Sequence, residues 1–71
     1  MEFAGKRVTV VGLARSGMAA CWVLAERGAR VVGTDRAPRE RLRGDLAALE
    51  ARGVRIEAGG HRAEDFLGAD L

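Results

Sequence analysis

The stretch RVTVVGLARSGMAA, Arg7 to Ala20, constrains this chain more than any other. Five residues, β-branched apart from the first, run into Gly12, and after four intervening residues Gly17 opens a segment of helical periodicity. β-branched side chains favour extended backbone, and a short apolar run bounded by Gly5 and Gly12 reads as a strand buried on both faces of a parallel sheet. From Ser16 to Arg27, the residues Met18, Cys21, Trp22, Leu24 and Ala25 recur at helical spacing. Gly28 then sits where a left-handed C-terminal cap belongs. The opening is therefore a strand, a glycine turn and a helix.

The pattern repeats. Arg30 to Thr34 is a second short apolar run, ending at Asp35. Pro38 suits the first turn of a helix with Leu42, Leu46 and Leu49 on its inner stripe and Gly53 as its stop. Arg39, Arg41 and Arg43 oppose the helix dipole at that end, at ~0.3–1 kcal/mol each when exposed, and Gly44 weakens the helix further, which predicts a frayed start. Val54 to Ala58 reads as a third strand, Gly59-Gly60-His61 as a loop, and Ala63 to Leu67 as a brief helical turn. Gly68 to Leu71 reads as the entry to a fourth strand. The order β-α-β-α-β-(α)-β predicts an α/β chain: a Rossmann-like parallel sheet with helices on both faces. At 71 residues it would bury only about 60% of its unfolded surface. Residues 1–71 are thus expected to be one partial domain of a longer protein, stopping at the threshold of that fourth strand.

Composition narrows the function. With 48% apolar and 31% charged residues the chain is globular in character. Eleven arginines and one lysine give a formal charge of +2, with much of the excess between Arg36 and Arg43. There is no Tyr, Phe3 and Phe66 lie at opposite ends, and Trp22 falls in a helical stripe, so the basic residues are not interleaved with stacking aromatics. A solvated basic face fits better than a nucleic-acid surface. The lone Cys21 allows neither an intrachain disulfide nor a zinc cluster, which fits a reducing, cytoplasmic setting. The apolar run after Lys6 and Arg7 is too short and too interrupted for a signal core, and nothing approaches the ~20 apolar residues of a membrane helix.

Chemistry concentrates around the glycine turn. Gly12 permits the tight turn leaving the strand, Gly17 lets the helix approach the sheet, and the N–H groups between them stand at a helix N-terminus that favours an anion. The spacing is that of the dinucleotide fingerprint, except that Ala14 replaces the glycine that lets a pyrophosphate come close. Arg15 can reach a diphosphate, and the Ser16 hydroxyl can either donate to a phosphate oxygen or cap the helix. Asp35, at the carboxyl end of the second strand, is placed to accept from ribose hydroxyls or a base N–H, or to act as a turn residue or helix cap. Arg36 either contacts a nucleotide or points to solvent. His61 has no partner at ligand or triad spacing and reads as a loop residue, and Cys21 as packing. On these residues alone, a nucleotide-bearing substrate, NAD(P) in a dehydrogenase or nucleotide sensor, and a non-nucleotide interaction module all remain open.

The segments GKRVTVVGLARSG, LAERGARVVGTD and the later GGH together resemble the N-terminal domain of the Mur ligases. The closest likeness is to the branch that adds D-glutamate to UDP-N-acetylmuramoyl-L-alanine in peptidoglycan synthesis. The likeness spans essentially the whole chain. It implies a domain that holds the uridine diphosphate of the substrate: Gly12, Leu13, Ala14, Arg15, Ser16 and Gly17 border the diphosphate, and Asp35, with Arg36, addresses the uridine. It also implies an ATP-driven amide ligation through an acyl phosphate, with ATP and Mg2+ held in a central domain and no catalytic residue, metal or cofactor in this segment. The glycine-rich ATP loop ending in Gly-Lys-Thr/Ser does not occur here, and Lys6 is in the wrong context for it. The implied partners are UDP-N-acetylmuramoyl-L-alanine and the protein's own central and C-terminal domains, with no nucleic acid and no membrane.

Overall fold

The computed structural model describes residues 3–42, 44–61 and 67–70. Strand β1 spans Arg7–Val11, helix α1 Arg15–Glu26, strand β2 Arg30–Asp35, helix α2 Leu46–Ala51 and strand β3 Arg55–Ala58. The three strands form one parallel sheet in the order β1-β2-β3, with Arg7 opposite Arg30, Val11 opposite Thr34, and Asp35 opposite Ala58. This is the expected Rossmann-like α/β arrangement, since a parallel neighbour can be reached only by a crossover. Residue 70 lies along the other edge of β1. Its N–H donates to the Arg7 carbonyl at 2.7 Å, and its carboxylate accepts from the Arg7 N–H at 2.8 Å. That is the edge a further strand would occupy. The helical turn expected over Ala63 to Leu67 falls, apart from Leu67, outside the described residues.

Side-chain alternation decides what packs where. Val8 and Val31 are buried on one face of the sheet, and Leu13, Cys21, Val31, Leu49 and Val54 form the core with Val10, Trp22 and Ile56 against it. Both described helices contribute to this one core, Cys21 from α1 and Leu49 from α2. Both therefore cover the same sheet face, not the two faces expected from the sequence, because two successive right-handed crossovers in the order β1-β2-β3 return on the same side. On the opposite face Val11 is 59% exposed, so β1 is not enclosed on both sides by the described residues.

Gly33 in the middle of β2 is a packing device that the apolar pattern alone did not single out. A Cβ there would lie 2.7 Å from Leu13 Cδ2 and 3.2 Å from Cys21 Sγ. Gly33→Ala is expected to push Leu13 out of the core at a cost of about 1–3 kcal/mol. A fall in the urea midpoint for loss of β2 structure checks it; an unchanged midpoint would mean that Leu13 relaxes freely. Cys21 is fully buried, and burial, only partly opposed by a backbone hydrogen bond, pushes its thiol up to about 11. It should resist alkylation by iodoacetamide at pH 8 until the protein is unfolded, since the thiolate is the nucleophile.

The helix expected after Pro38 is broken in two. Arg39–Arg41 forms a single 3-10 turn, Leu42 is extended (ψ 133°), and α2 starts only at Leu46. Gly44, at φ +105°, takes the chain out of helical space, and the Asp45 carboxylate accepts from Ala48 N–H at 3.0 Å to start α2. Arg39 does not simply oppose a helix dipole: its guanidinium makes a two-pronged pair with Glu50, at 2.5 and 3.1 Å. The split sets Arg41, Leu42 and Gly44 near Leu13 and Ala14 of the glycine turn, while Arg43, also expected to oppose the dipole, lies outside the described residues.

Candidate functional site

The glycine turn does what its spacing requires. Gly12 adopts φ +93°, which glycine alone takes without strain, and its N–H donates to the Thr34 carbonyl at 2.8 Å. A Cβ on Gly17 would sit inside the radius of the Gly12 carbonyl oxygen. Turn and helix therefore touch, backbone to backbone.

Helix α1 begins on Ala14, which caps it with no side-chain hydrogen bond, and its first turn holds no acidic residue. Its first internal bond runs from Met18 N–H to the Ala14 carbonyl. The N–H groups of Arg15, Ser16 and Gly17 are thus left without helical partners at the positive end of the dipole. Ser16 lies inside the helix rather than at its cap, which removes capping as the explanation for its hydroxyl.

Asp35 ties the glycine turn to β2. One carboxylate oxygen accepts from Leu13 N–H at 2.7 Å and the other from Ala37 N–H at 2.8 Å. The N–H of Leu13, then that of Ala37, hold its carboxyl below the ordinary aspartate range, helped less by the nearby His61. The carboxylate accordingly fixes the loop, and each oxygen keeps acceptor capacity for a ligand. The bond to Ala37 N–H is that of an Asx turn, so Asp35 is a turn residue as well as a tie to Leu13, whereas the cap of the later helix is Asp45.

Beside Asp35 a cavity of about 550 Å³ is lined by Leu13, Ala14, Arg15, Met18, Ala37, Arg41, Leu42 and Gly44. That volume suits a small ligand, and the lining combines apolar walls with two guanidinium groups and a carboxylate. Of the sequence-predicted residues, Leu13, Ala14, Arg15 and Asp35 meet at this cavity, although the Leu13 side chain is 1% exposed and turned into the core. Gly12 lies in the adjoining turn, Ser16 and Gly17 in the first turn of α1, and Arg36 is exposed beyond the lining. Sequence reasoning missed Arg41 as a site residue. Its place in the Arg36–Arg43 cluster was the available signal, but only the break at Gly44 brings it round. Among the described residues, no group of three or more His, Cys, Asp or Glu side chains could hold a metal ion, and no helix is long and apolar enough to cross a membrane.

No family model matches the chain. Similarity to curated proteins is nonetheless extensive. The chain is 57% identical over 70 residues to the UDP-N-acetylmuramoylalanine–D-glutamate ligase of Anaeromyxobacter dehalogenans, covering 99% of this chain and 15% of that protein. It is 46% identical to the enzyme of the same name from Acidobacterium capsulatum and 48% to that from Pelobacter propionicus, each over the whole chain and 15% and 16% of the relative. The chain thus spans about one sixth of the length of these relatives. Along its full length the chain matches a segment of the UDP-N-acetylmuramoylalanine–D-glutamate ligases.

Proposed function

We propose that this segment is the N-terminal substrate-holding domain of an ATP-dependent ligase that adds D-glutamate to UDP-N-acetylmuramoyl-L-alanine in cytoplasmic peptidoglycan synthesis. The observation that carries the reading is the uncapped start of α1 opening beside a cavity bordered by Arg15 and Asp35. The diphosphate would take the N–H groups of Arg15, Ser16 and Gly17, with the Ser16 hydroxyl and the Arg15 guanidinium adding charge-assisted contacts. The uridine would lie toward Asp35, with Arg36 and Arg41 at the rim. The carboxylate that reacts is carried away from this segment. ATP and Mg2+ are assigned to a separate central domain, since these residues offer no phosphate loop ending in Gly-Lys-Thr/Ser. The domain's partners are then the substrate and the protein's own central and C-terminal domains.

Arg15→Ala in the full-length protein is expected to raise the KM for the UDP-linked substrate roughly 10- to 150-fold, the equivalent of losing ~1.5–3 kcal/mol in one charged contact. The KM for ATP should not move. An unchanged substrate KM would mean that Arg15 points to solvent. Titration of UDP against NADH separates the leading reading from a dehydrogenase: tighter NADH binding, lost on Asp35→Ala, would overturn the assignment, and binding of neither would favour an interaction module.

A further inference from the structure

The buried hydroxyl of Thr34 points to a role for His61 that its place in a glycine loop does not suggest. Thr34 is 0% exposed, and its Oγ1 lies 2.8 Å from His61 Nδ1. A buried hydroxyl without a partner is costly, so whatever satisfies it is held in place. Thr34 is also a point where the glycine turn is fastened, because its carbonyl accepts from Gly12 N–H at 2.8 Å. The loop after β3 reaches the same strand end by its backbone. Gly60 N–H donates to the Asp35 carbonyl at 3.0 Å and Gly59 N–H to the Ala37 carbonyl at 2.8 Å. Gly59 and Gly60 both have positive φ, at +84° and +153°, and these conformations turn His61 back over β2.

We infer that His61 is a positioning residue for the nucleotide site: by bonding the buried Thr34 hydroxyl it clamps the end of β2, and with it Asp35 and the Gly12–Leu13 turn, in the ligand-holding geometry. The inference rests on the proposed nucleotide-holding function of that site. Two loops that are distant in sequence, the glycine turn and the loop after β3, converge on two adjacent residues, Thr34 and Asp35, and His61 supplies the side-chain bond that locks the second of them. Its imidazole acts through Thr34 and makes no contact with the ligand.

The test is a double-mutant cycle in the full-length protein, reading binding of UDP and the steady-state constants for both substrates. His61→Ala is expected to weaken UDP binding and raise the KM for the UDP-linked substrate about 3- to 10-fold, the scale of one hydrogen bond, while leaving the KM for ATP unchanged. His61→Gln, which can still bond Oγ1, should restore most of the loss. In a Thr34→Val background, which removes the hydroxyl while nearly keeping its shape, His61→Ala should cost nothing further. Equal losses in the presence and absence of the Thr34 hydroxyl, or wild-type UDP binding in His61→Ala, would overturn the inference. Failure of the wild-type protein to bind UDP would instead overturn the nucleotide reading on which it rests.

Discussion

Gly17→Ala is expected to dismantle the site and much of β1 with it, at a cost of about 3 kcal/mol or more. Overpacking a side chain into a dense interior costs about 1–3 kcal/mol when neighbouring side chains can yield. Here the obstacle is the Gly12 carbonyl oxygen, a backbone atom in a turn that is itself fastened to Thr34. Either the helix lifts off the sheet, exposing Cys21 and Leu13, or the turn opens. Hydrogen exchange of the β1 and β2 amides in the full-length protein measures this directly, and iodoacetamide labelling of Cys21 should accelerate in parallel. Gly12→Ala makes the informative comparison. No atom lies within 4 Å of the added Cβ, so only the strain of φ +93° opposes it, at about 1–2 kcal/mol. Equal protection in both variants would refute the backbone-contact argument.

Asp35→Ala is expected to lose substrate binding by a route other than simple removal of a ligand contact. It frees two backbone N–H groups, of Leu13 and Ala37, that the carboxylate now holds. Misplacement of about 1 Å in a positioning loop can cost on the order of 10²-fold, so the KM for the UDP-linked substrate should rise by more than Arg15→Ala alone produces if the loop is disordered as well. Asp35→Asn separates the effects. Its amide oxygen can accept one of the two bonds, but its NH2 would face the other donor.

The pH dependence follows from the same bonds. Because the folded-state carboxyl is held below its unfolded value of about 3.9, its stabilising contribution is complete above that value and is lost as pH falls through the lower, folded pKa. Loop order should therefore survive mild acid and fail only below about pH 4. Asp35→Asn should flatten that acid limb of an unfolding profile; a limb unchanged in the variant would place the titration on another group.

The elements that were plain in the sequence are those in which local rules and tertiary packing agree. Strand β1 has the residues expected of it, because a β-branched run between two glycines has few alternatives. Gly28 and Gly53 end their helices at positive φ, as their positions predicted. The second helix failed that agreement. Leu42, Leu46 and Leu49 have helical spacing, yet Gly44 and the Asp45 cap favour a later start, and the Arg39–Glu50 pair then holds the 3-10 turn against α2. Periodicity counted the apolar positions without weighing the cap, which is worth ~1 kcal/mol.

For this protein the sequence by itself determined the strand-turn-helix repeat, the need for glycine at positions 12 and 17, and the acidic residue at the end of the second strand. These follow from spacing, because hard-sphere limits on the backbone act within a few residues. Only the tertiary structure decided what those residues touch: Gly33 opening a seat for Leu13, Asp35 bonding across 22 positions to Leu13 N–H, Arg41 brought to the cavity, and His61 closing over the buried Thr34 hydroxyl. Arg41 owes its place to the break at Gly44; the other three depend on register between parallel strands. That register is fixed by long-range burial of alternate side chains, which no local stretch of sequence contains.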